Sequence, residues 1–267
     1  MNLLHALILG IIQGLTEFIP VSSTAHLLIG QQLFGIPIDA AMFSFLVIVQ
    51  LGTLISLFAF YWKDLLDIVK AALDFRHSTL DRNLGIYIIV ATIPALIAGY
   101  FLRDAVEALF SQPMLQASIR LFSAAILLTL AESLTKKNRT LNSMTWLDAL
   151  IIGIFQIISV FPGASRSGTT ISGGMFRGFD RVSAARFAFL MSVPVMLAAG
   201  GYEMLDVIQM PNLSEFLPLL AVGFIAAAIV GWMAIKWLID YLSNHSLYVF
   251  AAYCVIVGIL CLVNYLT

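Results

Sequence analysis

The sequence predicts an all-α polytopic membrane protein with an inverted-topology repeat, six transmembrane helices plus two re-entrant helical hairpins meeting near the midplane. Three observations predict it. Of 267 residues, 61% are hydrophobic and 11% charged, too few charges to cover a soluble surface of this size. Six stretches reach the roughly 20 apolar residues that a helix needs to cross the hydrocarbon core. One motif occurs twice, as Leu4-His5-Ala6-Leu7-Ile8-Leu9-Gly10-Ile11-Ile12-Gln13 and as Leu147-Asp148-Ala149-Leu150-Ile151-Ile152-Gly153-Ile154-Phe155-Gln156.

Residues 1–267 read as one integral membrane domain, with a first repeat over about 3–134 and a second over about 144–267. Segment 3–34 opens the first repeat. It breaks at Pro20 and has room for two half-helices, a re-entrant shape tolerated at membrane depth where protein or a water cavity shields the backbone. Spans follow at about 40–62, 84–104 and 112–134. The loop from Lys63 to Arg82 is amphipathic in its first half, with Leu65, Leu66, Ile68 and Val69 among charges, which predicts an interfacial helix. Segment 144–175 breaks at Pro162 as the second hairpin, and spans at about 184–206, 216–241 and 246–266 complete the repeat. The likeness extends past the motif, since Phe43-Ser44-Phe45-Leu46 is similar to Phe187-Ala188-Phe189-Leu190 at nearly the same offset.

Orientation follows from the basic residues. Lys63, Lys70, Arg76 and Arg82 lie after the first span, Lys136, Lys137 and Arg139 after the third, and Arg177, Arg181 and Arg186 around the start of the fourth. The positive-inside rule makes these segments cytoplasmic. Lys236, near the end of the fifth span, fits the same side, whereas Glu203, Asp206 and Glu215 mark an external loop. Both termini then fall outside. Three spans is an odd number, so the second copy enters from the opposite face. Met1 onward lacks a basic leader and a small-residue cleavage site and reads as mature protein. Cys254 and Cys261 read as small buried hydrophobes, and the net charge of −1 says nothing about partners.

The polar chemistry gathers at the two breaks. Gln13 and Glu17, four apart, share one helix face, with Gly10 and Gly14 admitting another backbone. A carboxylate at the bilayer centre costs on the order of 2.5–3.5 kcal/mol on insertion scales, which points to function. After Pro20, the run Ser22-Ser23-Thr24 suits a helix cap, and His26 lies within reach of the Ser22 or Ser23 hydroxyl. That offers a nucleophile and a titratable base in one turn. His5, His77 and His245 read as ordinary structural histidines. The second break, Pro162-Gly163-Ala164-Ser165-Arg166-Ser167-Gly168-Thr169-Thr170, reads as an anion cradle. Gly163 and Gly168 give backbone freedom, a new helix presents its N–H groups, and Ser165, Ser167 and Thr169 add hydroxyls. Arg166 supplies a planar fork matched to phosphate oxygens, with Glu17 or a bound phosphate as its counter-charge.

These motifs resemble the undecaprenyl-diphosphate phosphatase family, also called the bacitracin-resistance family. Its marks are a (Glu/Gln)-x-x-x-Glu helix with a following Ser-Ser-x-x-His, and a Pro-Gly-x-Ser-Arg-Ser-Gly loop. Here they are Gln13-Gly14-Leu15-Thr16-Glu17, Ser22-Ser23-Thr24-Ala25-His26 and Pro162-Gly163-Ala164-Ser165-Arg166-Ser167-Gly168. The resemblance spans essentially the whole chain. It implies hydrolysis of undecaprenyl diphosphate to undecaprenyl phosphate at the outer face of the bacterial cytoplasmic membrane, recycling the lipid carrier for cell-wall synthesis and conferring bacitracin resistance. It implies a prenyl diphosphate lipid substrate among membrane lipids, no nucleic acid, and a divalent cation (Mg2+ or Ca2+) near Glu17. Dimers occur in this kind of protein, although no surface of this chain announces a homodimer. One departure is Gln13, where some members have a second carboxylate, which weakens a two-carboxylate metal site.

Glu17, Ser23, His26 and Arg166 are therefore the catalytic candidates, and Gln13, Ser22, Thr24, Ser165, Ser167, Gly163 and Gly168 the substrate-binding ones. In the favoured reading Ser23 attacks the terminal phosphorus and His26, steered by Glu17, handles the proton. Two alternatives stay open, with His26 as nucleophile or as activator of water. Broken helices in inverted repeats are also a transporter architecture, so an anion carrier or lipid flippase is the rival class. An intramembrane protease would leave Arg166 without a task.

Overall fold

Helix α1 (Leu3–Phe18) starts where the Asn2 side chain accepts the His5 amide at 2.9 Å, and it ends at Ile19, which turns extended ahead of Pro20. The computed structural model describes residues 1–37, 40–73, 79–107, 112–159, 164–209 and 213–267. Arg76, His77, Pro162 and Gly163 lie outside them, as do the side chains of Glu203, Asp206 and Glu215. After α1 come α2 (Ser23–Leu33), α3 (Ala40–Phe60), α4 (Trp62–Leu73), α5 (Thr79–Glu107) and α6 (Pro113–Leu134). A 3-10 turn, Leu141–Ser143, leads into α7 (Trp146–Ile158), α8 (Arg166–Phe176), α9 (Arg181–Ile208), α10 (Leu213–Asn244) and α11 (Tyr248–Leu266). Among the described residues there is no named strand, only an isolated bridge between Arg139 and Phe179.

Among the described residues six helices, α3, α5, α6, α9, α10 and α11, are long and apolar enough to cross a membrane, while α1 and α7 are apolar but short. This is an all-α, multi-pass membrane protein. The expected interfacial segment is the amphipathic α4, with Trp62, Leu66, Val69 and Leu73 exposed. Arg82 sits in the first turn of α5 and not in a loop, because that helix reaches back to Thr79. The two halves repeat in register: α1 and α7 begin 143 residues apart, α2 and α8 begin 143 apart, and they end 143 apart.

Each short helix packs on a span of the other half, α1 on α10 and α7 on α5. Small residues make this possible. A Cβ on Gly10 would stand 2.9 Å from the Gly223 Cα, one on Gly14 2.9 Å from the Ala227 carbonyl oxygen, and one on Gly153 2.9 Å from the Ala91 Cα. Helix α6 packs against both α2 and α8, so it stands between the two post-break helices. Helix α8 is buried continuously from Ser167 to Met175, which shields a polar, glycine-rich segment that lipid would not tolerate. The exposed side chains of α5 and α11, among them Ile86, Ile89, Ile93, Ile256, Leu260 and Val263, form apolar outer faces suited to lipid.

Five of the basic residues that set orientation, Lys137, Arg139, Arg177, Arg181 and Arg186, are held by carboxylates. Asp148, fully buried at the head of α7, closes a capping box with Thr145 and takes Arg139 and Arg177 at 2.7 Å each. Burial opposes its ionisation, but hydrogen bonds from Arg139, Arg177 and Thr145 outweigh that and hold its carboxyl well below the usual range. Glu132 binds Lys137 at 2.7 Å and also Arg181, and Asp64 of α4 binds Arg186. His5 stacks on Phe34 and His245 on Tyr241, as ordinary packing residues do. Both cysteines are free and buried.

Candidate active site

Each post-break helix starts with a serine at its N-cap. The Ser22 hydroxyl accepts the Ala25 amide at 3.4 Å and the Ser165 hydroxyl accepts the Gly168 amide at 3.2 Å. The first residue of α2 is Ser23 and the first residue of α8 is Arg166, so these two side chains occupy equivalent places in the two halves. Both reach the same carboxylate. Ser23 Oγ donates to Glu17 Oε2 at 2.7 Å, and an Arg166 guanidinium N–H donates to Glu17 Oε1. Ser167 Oγ donates to the Ile19 carbonyl at 3.4 Å, a second direct bond between the breaks.

Two amides complete the shell of Glu17. Gln13 Nε2 donates to Oε2 at 2.7 Å from one turn back on α1, as the four-residue spacing requires. Gln50 Nε2 reaches Oε1 at 3.5 Å from α3. The carboxylate thus takes donors from α1, α2, α3 and α8, and its side chain is 3% exposed. Burying a charge is tolerable when a countercharge and hydrogen bonds surround it.

Two expectations are corrected, on His26 and on Thr169. His26 makes no hydrogen bond to either serine hydroxyl among the described contacts: Nδ1 meets the Ser22 backbone carbonyl at 2.8 Å and Nε2 the Tyr253 hydroxyl at 2.7 Å. The acceptor is supplied by Ser22, whose φ of +67° lies in the left-handed region. Its carbonyl takes the His26 amide at 3.3 Å as well as the ring, and the imidazole then faces α11 and not Glu17. Thr169 is also withdrawn from the cradle, fully buried with its hydroxyl donating to the Arg166 carbonyl at 2.9 Å. The Gly168 amide is already used by Ser165, so the amides left pointing out of the α8 end are those of Arg166 and Ser167. Thr24, half-buried, makes no described contact to Glu17 or Arg166, and Gly168 lies buried against Ser165.

The donor set does not fit a protein-held divalent ion. Glu17 is one carboxylate surrounded by N–H and O–H donors and paired with a guanidinium, whereas hard cations take six or more oxygens. No group of three His, Cys, Asp or Glu side chains suited to a metal occurs among the described residues.

Sequence reasoning missed three participants. Gln50 and Tyr253 reach the site from distant helices, and nothing in their local sequence marks them. Arg120 carried a signal, since it is a guanidinium in the middle of the apolar α6. It is buried and donates to the Ala164 carbonyl at 3.3 Å, just ahead of Ser165.

The fold and site together define a polytopic membrane protein whose polar centre joins two broken helices through a charge-paired carboxylate, with hydroxyls and a guanidinium at helix N-termini. The chain belongs to the family described as bacitracin resistance protein BacA, whose model matches residues 6–260. Among curated relatives it is 38% identical over 269 residues to the undecaprenyl-diphosphatase of Alkaliphilus metalliredigens, covering 97% of both chains. It is 40% identical over 273 residues to the undecaprenyl-diphosphatase of Chlorobium phaeobacteroides, covering 97% of this chain and 95% of the relative. To that of Methanosphaera stadtmanae it is 36% identical over 277 residues, covering 98% of each.

Proposed function

We propose that this chain is an undecaprenyl-diphosphatase, hydrolysing undecaprenyl diphosphate to undecaprenyl phosphate and inorganic phosphate. The family membership and full-length likeness to enzymes of that name support the activity, which sets the transporter reading aside. The observation that carries the mechanism is the Glu17 carboxylate held at once by Ser23 and Arg166. The diphosphate takes over Arg166 from Glu17 and is held by the guanidinium fork, the Arg166 and Ser167 amides and the Ser165 and Ser167 hydroxyls. Phosphoryl transfer asks mainly for this neutralisation and for in-line positioning.

Glu17, released from Arg166 but still held by Gln13 and Gln50, accepts the Ser23 proton. Ser23 Oγ forms a bond to the terminal phosphorus as the bond to the bridging oxygen breaks, and undecaprenyl phosphate leaves. Water then attacks the phosphoserine, giving its proton to His26 Nε2, while Glu17 returns its proton to Ser23 Oγ and inorganic phosphate departs. In this reading the site opens toward the external face of the bacterial cytoplasmic membrane, and the matched 143-residue offsets and reciprocal packing support an inverted arrangement of two re-entrant hairpins. Rapid quench with a terminally labelled prenyl diphosphate tests the pathway. Label on Ser23 is expected; label on His26, or on neither residue during steady turnover, removes the serine step.

A further inference from the structure

We propose that Tyr253 is a positioning residue for His26, fixing its neutral tautomer and covering its reactive nitrogen in the resting enzyme; this rests on the phosphatase reading for its catalytic consequence. The backbone carbonyl of Ser22 only accepts hydrogen bonds, so the Nδ1 atom 2.8 Å away carries the proton. No carboxylate contacts the ring among the described residues, because the oxygens of Glu17 are taken up by Gln13, Ser23, Gln50 and Arg166. In the proposed arrangement the imidazole is neutral, its Nε2 holds a lone pair, and the Tyr253 hydroxyl at 2.7 Å donates to it. The two rings lie nearly parallel, 8° apart with centroids separated by 5.6 Å, so stacking and the hydrogen bond fix one orientation.

The neighbouring residue strengthens the link. Cys254, buried on the same helix, sets its Sγ 3.9 Å from the Pro20 carbonyl, so α11 meets the first break at two consecutive positions. Tyr253 is 42% exposed and can move, whereas the Ser22 carbonyl is part of the capped helix start. Nδ1 is then the fixed end of the ring and Nε2 the end that opens to water or a phosphate oxygen when the tyrosine swings aside.

The test uses the full-length protein in detergent and reads His26 directly. Diethylpyrocarbonate acylates an unprotonated imidazole nitrogen, and peptide mass spectrometry follows the rate at His26. Tyr253→Phe should raise that rate by about two- to tenfold, the range one neutral hydrogen bond spans. It should lower kcat for a prenyl diphosphate while KM stays within about twofold. An unchanged acylation rate overturns the proposal, and a rise in KM alone overturns it by making Tyr253 a lipid contact. The parent protein gives a check that needs no variant to fold: its nitrogen-15 spectrum, with His26→Gln used only for assignment, should show His26 protonated at Nδ1. Protonation at Nε2 instead overturns the pairing. Because acylation and tautomer are read without turnover, a protein that releases no phosphate would refute the phosphatase reading and leave this test standing.

Discussion

Replacing Glu17 by Gln should make the protein bind a diphosphate more tightly while nearly abolishing turnover. In the resting enzyme Arg166 is committed to Glu17, so an incoming anion must compete with a carboxylate for the guanidinium. Two unit charges about 4 Å apart interact by about 4 kcal/mol at an effective dielectric of about 20. The Arg166 side chain is 20% exposed, and solvent screening together with the amide's remaining hydrogen bond reduces the releasable part to about 1–2 kcal/mol. At about 1.4 kcal/mol per tenfold, that is roughly five- to thirtyfold tighter binding. Loss of the base should lower kcat by about 10²–10⁴. The assay is competitive inhibition by a non-hydrolysable diphosphonate, with direct calorimetry of the same ligand on the parent and on Glu17→Gln. Weaker diphosphonate binding in Glu17→Gln than in the parent would refute the reasoning, because Glu17 would then be holding Arg166 ready for substrate and not competing with it.

Further outcomes follow from the same geometry. Arg166→Lys keeps the charge and loses the planar fork, so KM should rise about tenfold with the fold intact, measured by steady-state phosphate release. Arg120→Met removes the hydrogen bond that holds the Ala164 carbonyl and should lower kcat/KM by about ten- to a hundredfold, as a charge-assisted bond predicts. Gly10→Val places side-chain atoms against Gly223 and should cost about 1–3 kcal/mol, read as a lower Tm in detergent. Asp148→Asn breaks a buried pair and should cost about 3 kcal/mol, the low end for such pairs because Arg139 and Arg177 are 29% and 33% exposed. The folded-state pKa of Asp148 is depressed, so its stabilisation is complete above the unfolded pKa of about 3.9 and is lost as pH falls through the folded value. The parent should therefore lose Tm below about pH 4 more steeply than Asp148→Asn.

Much of this architecture is legible in the chain because lipid enforces simple rules. A span needs length and apolarity, and α3, α5, α6, α9, α10 and α11 show both without ambiguity. The breaks announce themselves through Pro20 and Pro162 and through polar residues that hydrocarbon would reject. Spacing alone brought Gln13 onto Glu17, and the duplicated motif put Ser23 and Arg166 at matching places. What the chain conceals is the direction of each side chain within a break. The Ser22 carbonyl and the Tyr253 hydroxyl hold His26 away from Ser23 toward α11, and no local pattern encodes that choice. Thr169 looked like a donor to the cradle but satisfied its own helix, as buried threonines in apolar surroundings do. Gln50 and Tyr253 enter through tertiary packing of spans distant in sequence, where one polar residue in an apolar run has no visible partner. Arg120 differs, since a guanidinium inside a span is a signal by itself.

The measurement that bears most directly on a single site made by both breaks is a double-mutant cycle in detergent. Phosphate release from a long-chain prenyl diphosphate would be followed for the parent, Ser23→Ala, Arg166→Ala and the double variant, with Tm recorded for each. Residues that act as one unit are strongly non-additive. The account predicts an active parent, two single variants severely impaired but folded, and a double variant no worse than the poorer single one. Strictly multiplicative losses, or a parent that releases no phosphate with or without added divalent ion, would contradict it.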